Sequence, residues 1–177
     1  GGRGVSGQKG RALDILVILG LPSPSMILHA SKSITERLKC QVSTHKDLQK
    51  AALHSWSIDL FKMAKVGSFA VVMHDVTLFT FIVPLKRIRT FEAFLPLILA
   101  RIADIFGRYG ISFDTQNQSV MILPRADRSL IGTINEAKAI IRDSIFYDEH
   151  HIGGIDWAFI ENEINETPFS RGGYASP

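Results

Sequence analysis

Between His54 and Pro84 the chain carries three successive strand-like runs, "HSWSIDLFKM", "SFAVVMH" and "TLFTFIVP", the first of which alternates polar and apolar residues. In the first run Trp56, Ile58 and Leu60 fall on one face and Ser57 and Asp59 on the other, the pattern of a half-buried strand. Lys65 and Gly67 mark one turn, and "HDVT" marks the next. Breaks this short join antiparallel neighbours, because a parallel pair needs a crossover of roughly a dozen residues or more. An antiparallel meander is therefore the predicted centre of the fold. "MILHA" before it and "SVMIL" after it read as two further short strands.

The helical patterns carry their own start signals. Ser31 or Ser33 caps a brief helix through "ITERLKC", and Thr90 caps "FEAFLPLILARIADIFGRYG", where Phe91, Phe94, Leu95, Ile98, Ile102, Ile105 and Phe106 form one stripe. Pro96 inside that stripe predicts a kink or a later beginning. Asp127 or Ser129 caps a helix running to about Tyr147, with Leu130, Ile134, Ala137, Ile141 and Ile145 toward the core and Glu136, Lys138, Arg142 and Asp143 toward solvent. A last helix, "IDWAFIENEINE", follows Gly153 and Gly154 and stops at Thr167 and Pro168. Strands first and helices afterwards predict an α+β domain: an antiparallel β-meander sheet with three or four α-helices packed mainly on one face.

The ends differ from this body. Residues 1–25 open on "GGRGVSGQKGR" and continue into the apolar run "ALDILVILGLP", interrupted by Asp14, and are read as a leader or tag ahead of a natural start at Met26. That run falls short of the about 20 apolar residues that span a bilayer, so no membrane partner is expected. Residues 26–168 form the single domain and 169–177 a flexible tail. Removing residues 1–25, which carry a net +2, leaves the rest at only +1, which excludes a generally basic protein. Within that rest, residues 26–129 carry +6 and those from Leu130 onward −5, an asymmetry that favours oriented association. One cysteine, Cys40, excludes a disulfide framework and a cysteine-rich zinc site, and points to a reducing, cytoplasmic setting.

No nucleophile elbow and no Walker A loop occurs, and no cofactor is implied. "YDEHH" aligns Asp148, Glu149, His150 and His151, but adjacent residues rarely converge on one ion, so a solvated loop is expected and no metal is assigned. The denser cluster is "PRADRSLIGTINEAK". In one reading it is structural: Asp127 and Ser129 accept from the helix start, Arg128 pairs with Asp75 or Glu163, and Asn135 bonds a backbone group of the meander. In the other, Arg125 and Arg128 beside a helix N-terminus hold a phosphate or carboxylate, oriented by Ser129 and Asn135. Trp56, His54 and Asp75 complete the set of candidate ligand-binding residues.

The segment around Trp56, "HDVTLFTFIVP", "RADRSLIGTINEA" and "ENEINETP" together resemble an uncharacterised bacterial domain-of-unknown-function family, over about Met26 to Pro168. Some of its members carry the label amino group acetyltransferase. The resemblance places a family Asp-Arg-Ser run and a following Asn at Asp127, Arg128, Ser129 and Asn135, and it implies a shared fold without an established activity. The acetyltransferase label is unsupported by the residues, because residues 26–177 contain no Q/R-x-x-G-x-G/A turn to hold a pyrophosphate. The expected function is a small binding or regulatory module with an anion-friendly Arg/Ser/Asn cluster at a helix start. Its partner would be a protein or an anionic ligand, with nucleic acid, approached through the basic "LKRIR", a lesser choice. The alternative is an enzyme acting on an anionic substrate, with Arg125 and Arg128 as clamp and Asp127, His54 or Asp75 as acid or base, which requires these residues to share one pocket.

Overall fold

A computed structural model describes residues 25–43, 54–125, 127–148 and 154–169. The readings made for residues 1–24, for Glu149, His150 and His151, and for the tail from Ser170 lie outside the described residues.

In chain order the elements are β1 (Met26–Ala30), α1 (Lys32–Leu38), β2 (His54–Met63), β3 (Gly67–His74), β4 (Thr80–Pro84), α2 (Phe91–Arg108), β5 (Val120–Pro124), α3 (Arg128–Asp148) and α4 (Trp157–Glu166). The α+β class holds, and the meander β2–β3–β4 is antiparallel as the short turns predicted. The sheet as a whole is mixed, however, in the order β4-β3-β2-β1-β5, with β1 parallel to both β2 and β5. The expected purely antiparallel sheet is corrected here, because "MILHA" and "SVMIL" join its edge through long connections instead of standing apart. All five residues of β1 are buried, as a strand with neighbours on both sides and helices on both faces must be.

The expectation of helices mainly on one face is also corrected. Leu28, Trp56, Ile58 and Val72, the even-numbered residues of β1–β3, together with Phe81 of β4 pack against Ile34 and Leu38 of α1 and Phe94, Ile98 and Ile102 of α2. The odd-numbered residues Phe61, Phe69, Val71 and Met73 of β2 and β3, with Ile82 of β4, pack against Ile134, Ala137 and Ile141 of α3 and Ile160 and Ile164 of α4. The strand period of two thus feeds two separate cores, one per face.

Local start signals behave as their chemistry dictates. Ser31 caps α1, accepting from the Ile34 N–H at 3.4 Å, and Thr90 caps α2, accepting from the Ala93 N–H at 3.4 Å. The α2 helix runs from Phe91 through Pro96, whose missing N–H frees the carbonyl of Glu92 on the exposed side. Asp156 caps α4 by accepting from the Phe159 N–H at 3.0 Å.

An edge strand leaves a row of unpaired backbone groups, and β4 is covered by side chains of α4. Asn165 Oδ1 accepts from the Thr80 N–H at 2.7 Å while its Nδ2 donates to the Thr80 carbonyl at 2.8 Å. One helical turn earlier, Glu161 Oε1 accepts from the Ile82 N–H at 2.9 Å, and its other oxygen pairs with Arg101 of α2. Helix i,i+4 spacing matches the i,i+2 repeat of outward-facing strand groups, so "ENEINE" docks as a surrogate strand. The backbone-satisfying role foreseen for Asn135 belongs to Asn165; Asn135 lies exposed on α3.

Replacing Asn165 by Ala leaves two strand groups without partners, at about 2 kcal/mol. Since each kcal/mol moves a chain of this size by about 2 to 4 °C, calorimetry should show a midpoint lower by about 4 to 8 °C. Asn135→Ala should move it by no more than about 2 °C. Equal losses in the two variants would contradict this assignment.

Candidate functional site

The parallel part of the sheet creates a crevice. After β1 the chain turns into α1 on one face, and after the adjacent parallel β5 it turns into α3 on the other. Two neighbouring parallel strands whose following helices leave to opposite faces form a topological switch point, and the space outside their carboxyl ends is where open α/β sheets bind ligands. A cleft of about 370 Å³ lies there, lined by Ser31, Lys32 and Thr35 on one side and Pro124, Arg125 and Ile131 on the other. The Arg125 N–H donates to the Ala30 carbonyl at 3.2 Å and holds the two strand ends together.

Beneath the cleft lies a buried charge cluster. Asp59, on the α3 face of β2, is 4% exposed; its Oδ2 lies 2.9 Å from Arg125 Nη1 and accepts a hydrogen bond from Lys138 of α3. The Arg125 contact is an ion pair by distance, without the alignment of a hydrogen bond. The Leu60 N–H adds a bond of 2.9 Å to Asp59 Oδ1. Burial by itself would raise the Asp59 pKa, but the hydrogen bonds from Lys138 and Ser31 and the charges of Lys138 and Arg125 outweigh it and hold the carboxyl below its ordinary value. Lys138, read from the helical wheel as solvent-facing, instead turns inward to this carboxylate.

The rest of the cluster read from the sequence surrounds the same helix start. Asp127 is the cap of α3: its Oδ1 accepts from the N–H groups of Ser129 at 2.8 Å and Leu130 at 3.2 Å, and its carbonyl accepts from Ile131. Ser129 gives its carbonyl to the Thr133 hydroxyl at 3.0 Å. Arg128 is exposed and does not take the acids foreseen for it: Glu163 accepts from the Ser144 hydroxyl at 2.7 Å, and Asp75 is engaged elsewhere. Arg128 and Asn135 stand three residues before and four after Ile131, which puts both beside this lining residue on the helix surface. Gly132 sits between them, exposed, with open space where a Cβ would stand.

The remaining candidates lie at the opposite end of the sheet. His54 is level with Met26 at the start of β1, whereas Arg125 follows Pro124, which is level with Ala30 at its end. His54, half-buried against Phe106 and Phe113, has its pKa lowered by burial. Trp56 is fully buried between His74 and Phe81. Asp75 serves as a tie on the other face, accepting from Ser57 Oγ at 2.7 Å and from Ser55 Oγ, with His29 Nε2 at 3.6 Å. Arg125, Asp127, Arg128, Ser129 and Asn135 are therefore brought to one helix start, and Trp56, His54 and Asp75 are not. Ser31, Lys32 and Thr35 were missed; the strand-then-capped-helix sequence "MILHASKSIT" is the signal that parallel pairing would have made readable. Among the described residues no group of His, Cys, Asp or Glu is arranged to hold a metal ion, and no helix is long and apolar enough to cross a membrane.

Asp59→Asn leaves two buried cations facing a neutral group and should destabilise the protein by about 3 kcal/mol at neutral pH. A carboxyl whose pKa is depressed by folding stabilises above its unfolded value and loses that contribution as pH falls through the folded one. The difference in unfolding midpoint between wild type and Asp59→Asn should therefore be full at pH 7, begin to shrink below about pH 5 and continue shrinking below the usual Asp value of about 3.9. A pH-independent difference would refute the pairing.

No curated protein and no solved structure matches the chain. The pattern of one family, Domain of unknown function (DUF6933), matches residues 27–177, a stretch that includes all of the sheet but Met26, the four described helices and both walls of the crevice. The chain belongs to the DUF6933 family.

Proposed function

We propose that this protein is a binding module that holds an anionic ligand, a phosphate or a carboxylate, in the crevice at the carboxyl ends of β1 and β5. The observation that carries the reading is the switch point itself, with Arg125 in its wall and Asp59 unable to neutralise both Arg125 and Lys138. One carboxylate between two cations favours a further anion beside them, and Lys32, itself paired with Glu36, lines the cleft, while Arg128 lies exposed one helical turn before the lining residue Ile131. The exposed face around Ile131 adds a second support. Glycine within a helix costs roughly 0.5 to 1 kcal/mol relative to alanine, and no neighbour of Gly132 requires its lack of a side chain. A ligand approaching the backbone closely between Arg128 and Asn135 would require it.

Binding is favoured over catalysis because His54 and Asp75, the acid or base candidates apart from the cap Asp127, stand away from the crevice. Asp127 and Asp59 are both engaged as acceptors, one by helix N–H groups and one by cations.

Titration of the full chain with inorganic phosphate, followed by amide NMR, tests the proposal. Saturable shifts are expected at Arg125, Ser129 and Gly132. Arg128→Ala should weaken binding about tenfold, the loss of one charge-assisted contact, with little change in stability. Gly132→Ala should raise the unfolding midpoint by about 1 to 4 °C and also weaken binding. Absence of saturation, or wild-type binding by both variants, would sink the reading.

A further inference from the structure

We infer that a second ligand site, for a neutral planar aromatic compound carrying a hydrogen-bond acceptor, lies at the opposite end of the sheet from the anion crevice. A cavity of about 570 Å³ opens there, between the β3–β4 turn, the C-terminal turn of α2 and the end of α4. Its size falls within the range of small-molecule sites, roughly 300 to 1,000 Å³. Trp56 and Phe79 of the sheet region, Phe106 and Tyr109 of α2 and its cap, and Phe169 after α4 give it aromatic walls. No Asp, Glu, Lys or Arg is among its described lining residues, so a charged ligand would enter without a counter-ion and lose its hydration uncompensated.

The polar groups in the wall are few and specific. Trp56 is 1% exposed, and its indole N–H is buried with no hydrogen-bond acceptor among the described residues. Its edge-on neighbours, the rings of His74 and Phe81 at 4.8 and 5.6 Å, give an N–H at most a weak π partner. Native interiors seldom leave such a donor unpaired, and the shortfall is of the kind a bound acceptor removes. The two imidazoles in the same wall, His54 and His74, are disfavoured in their charged forms by burial. The Thr77 N–H donates to His74 Nδ1 at 3.2 Å, which makes Nδ1 the acceptor and places the neutral ring's proton on Nε2. The cavity wall thus combines aromatic side chains, an unpaired indole N–H and imidazoles whose charged forms are disfavoured, a lining that suits a heteroaromatic ring nitrogen or a conjugated carbonyl.

Quinoline and naphthalene are nearly the same shape and differ in one ring nitrogen, so they separate the acceptor from the apolar surface. Calorimetric titration of the full chain at pH 8, where quinoline is neutral, should give saturable one-site binding of quinoline, about five- to tenfold tighter than naphthalene. Trp56→Phe should keep naphthalene binding within about twofold and abolish the preference for quinoline. Ile111→Trp, at an exposed position of the lining, should block both compounds while leaving phosphate binding at the crevice unchanged. No saturable binding of quinoline, equal affinity for the two compounds, or a quinoline preference that survives Trp56→Phe would each overturn the assignment.

Discussion

β1 is hydrogen-bonded along both edges and buried on both faces, so its five residues can be accommodated only if two strands flank it and helices cover it above and below. Nearly all buried backbone groups must find partners, and a strand of this length cannot supply them internally. Pairing β1 in parallel with β2 and β5 forces long connections, because hairpin turns cannot return the chain to the same end of the sheet. Those connections are where α1, α2 and the segments around them are placed. The two-sided core, with Leu28 and Trp56 facing α2 and Phe61 and Val71 facing α3 and α4, follows from the same central strand.

The features legible in the sequence are those set within a few residues. Alternation through "HSWSIDLFKM" identifies which residues share a face, and Ser31, Thr90 and Asp127 cap helices because their side-chain oxygens reach the N–H groups two or three residues on. Sheet order was not legible, since a five-residue apolar run such as "MILHA" fits an edge, a centre or either direction. The inward roles of Asp59, Lys138 and Asn165 were hidden for a related reason. Each is a polar residue at a position that a strand or helix period assigns to solvent, and only the approach of α3 to β2 or of α4 to β4 converts it into a tertiary contact. The candidate site was half legible: the run from Arg125 to Asn135 is contiguous in sequence, whereas its opposite wall at Ser31, Lys32 and Thr35 arrives through the parallel pairing.

Edge closure links the two helical layers. Glu161 bonds the Ile82 N–H with one oxygen and Arg101 of α2 with the other, and Arg101 in turn lies 5.8 Å from the Phe81 ring centre. A single carboxylate therefore satisfies the open strand edge and ties α4 on one face to α2 on the other. That clasp also fixes Asn165 and Thr167 beside the aromatic cavity, so the geometry of the cavity mouth depends on how the strand edge is capped.

The two ends of the sheet solve opposite electrostatic problems. At the aromatic end the basic groups of the cavity wall, His54 and His74, are imidazoles, whose charged forms burial disfavours at the cost of their basicity. A guanidinium group offers no such exit, so the charge at the crevice must be compensated in place. Asp59 provides that compensation but is shared with Lys138. In a medium of low effective dielectric an unneutralised charge attracts a counter-ion far more strongly than it would in water. The arrangement that gathers Arg125 and Lys138 around one carboxylate is thus the same one on which the proposed anion site at the start of α3 rests.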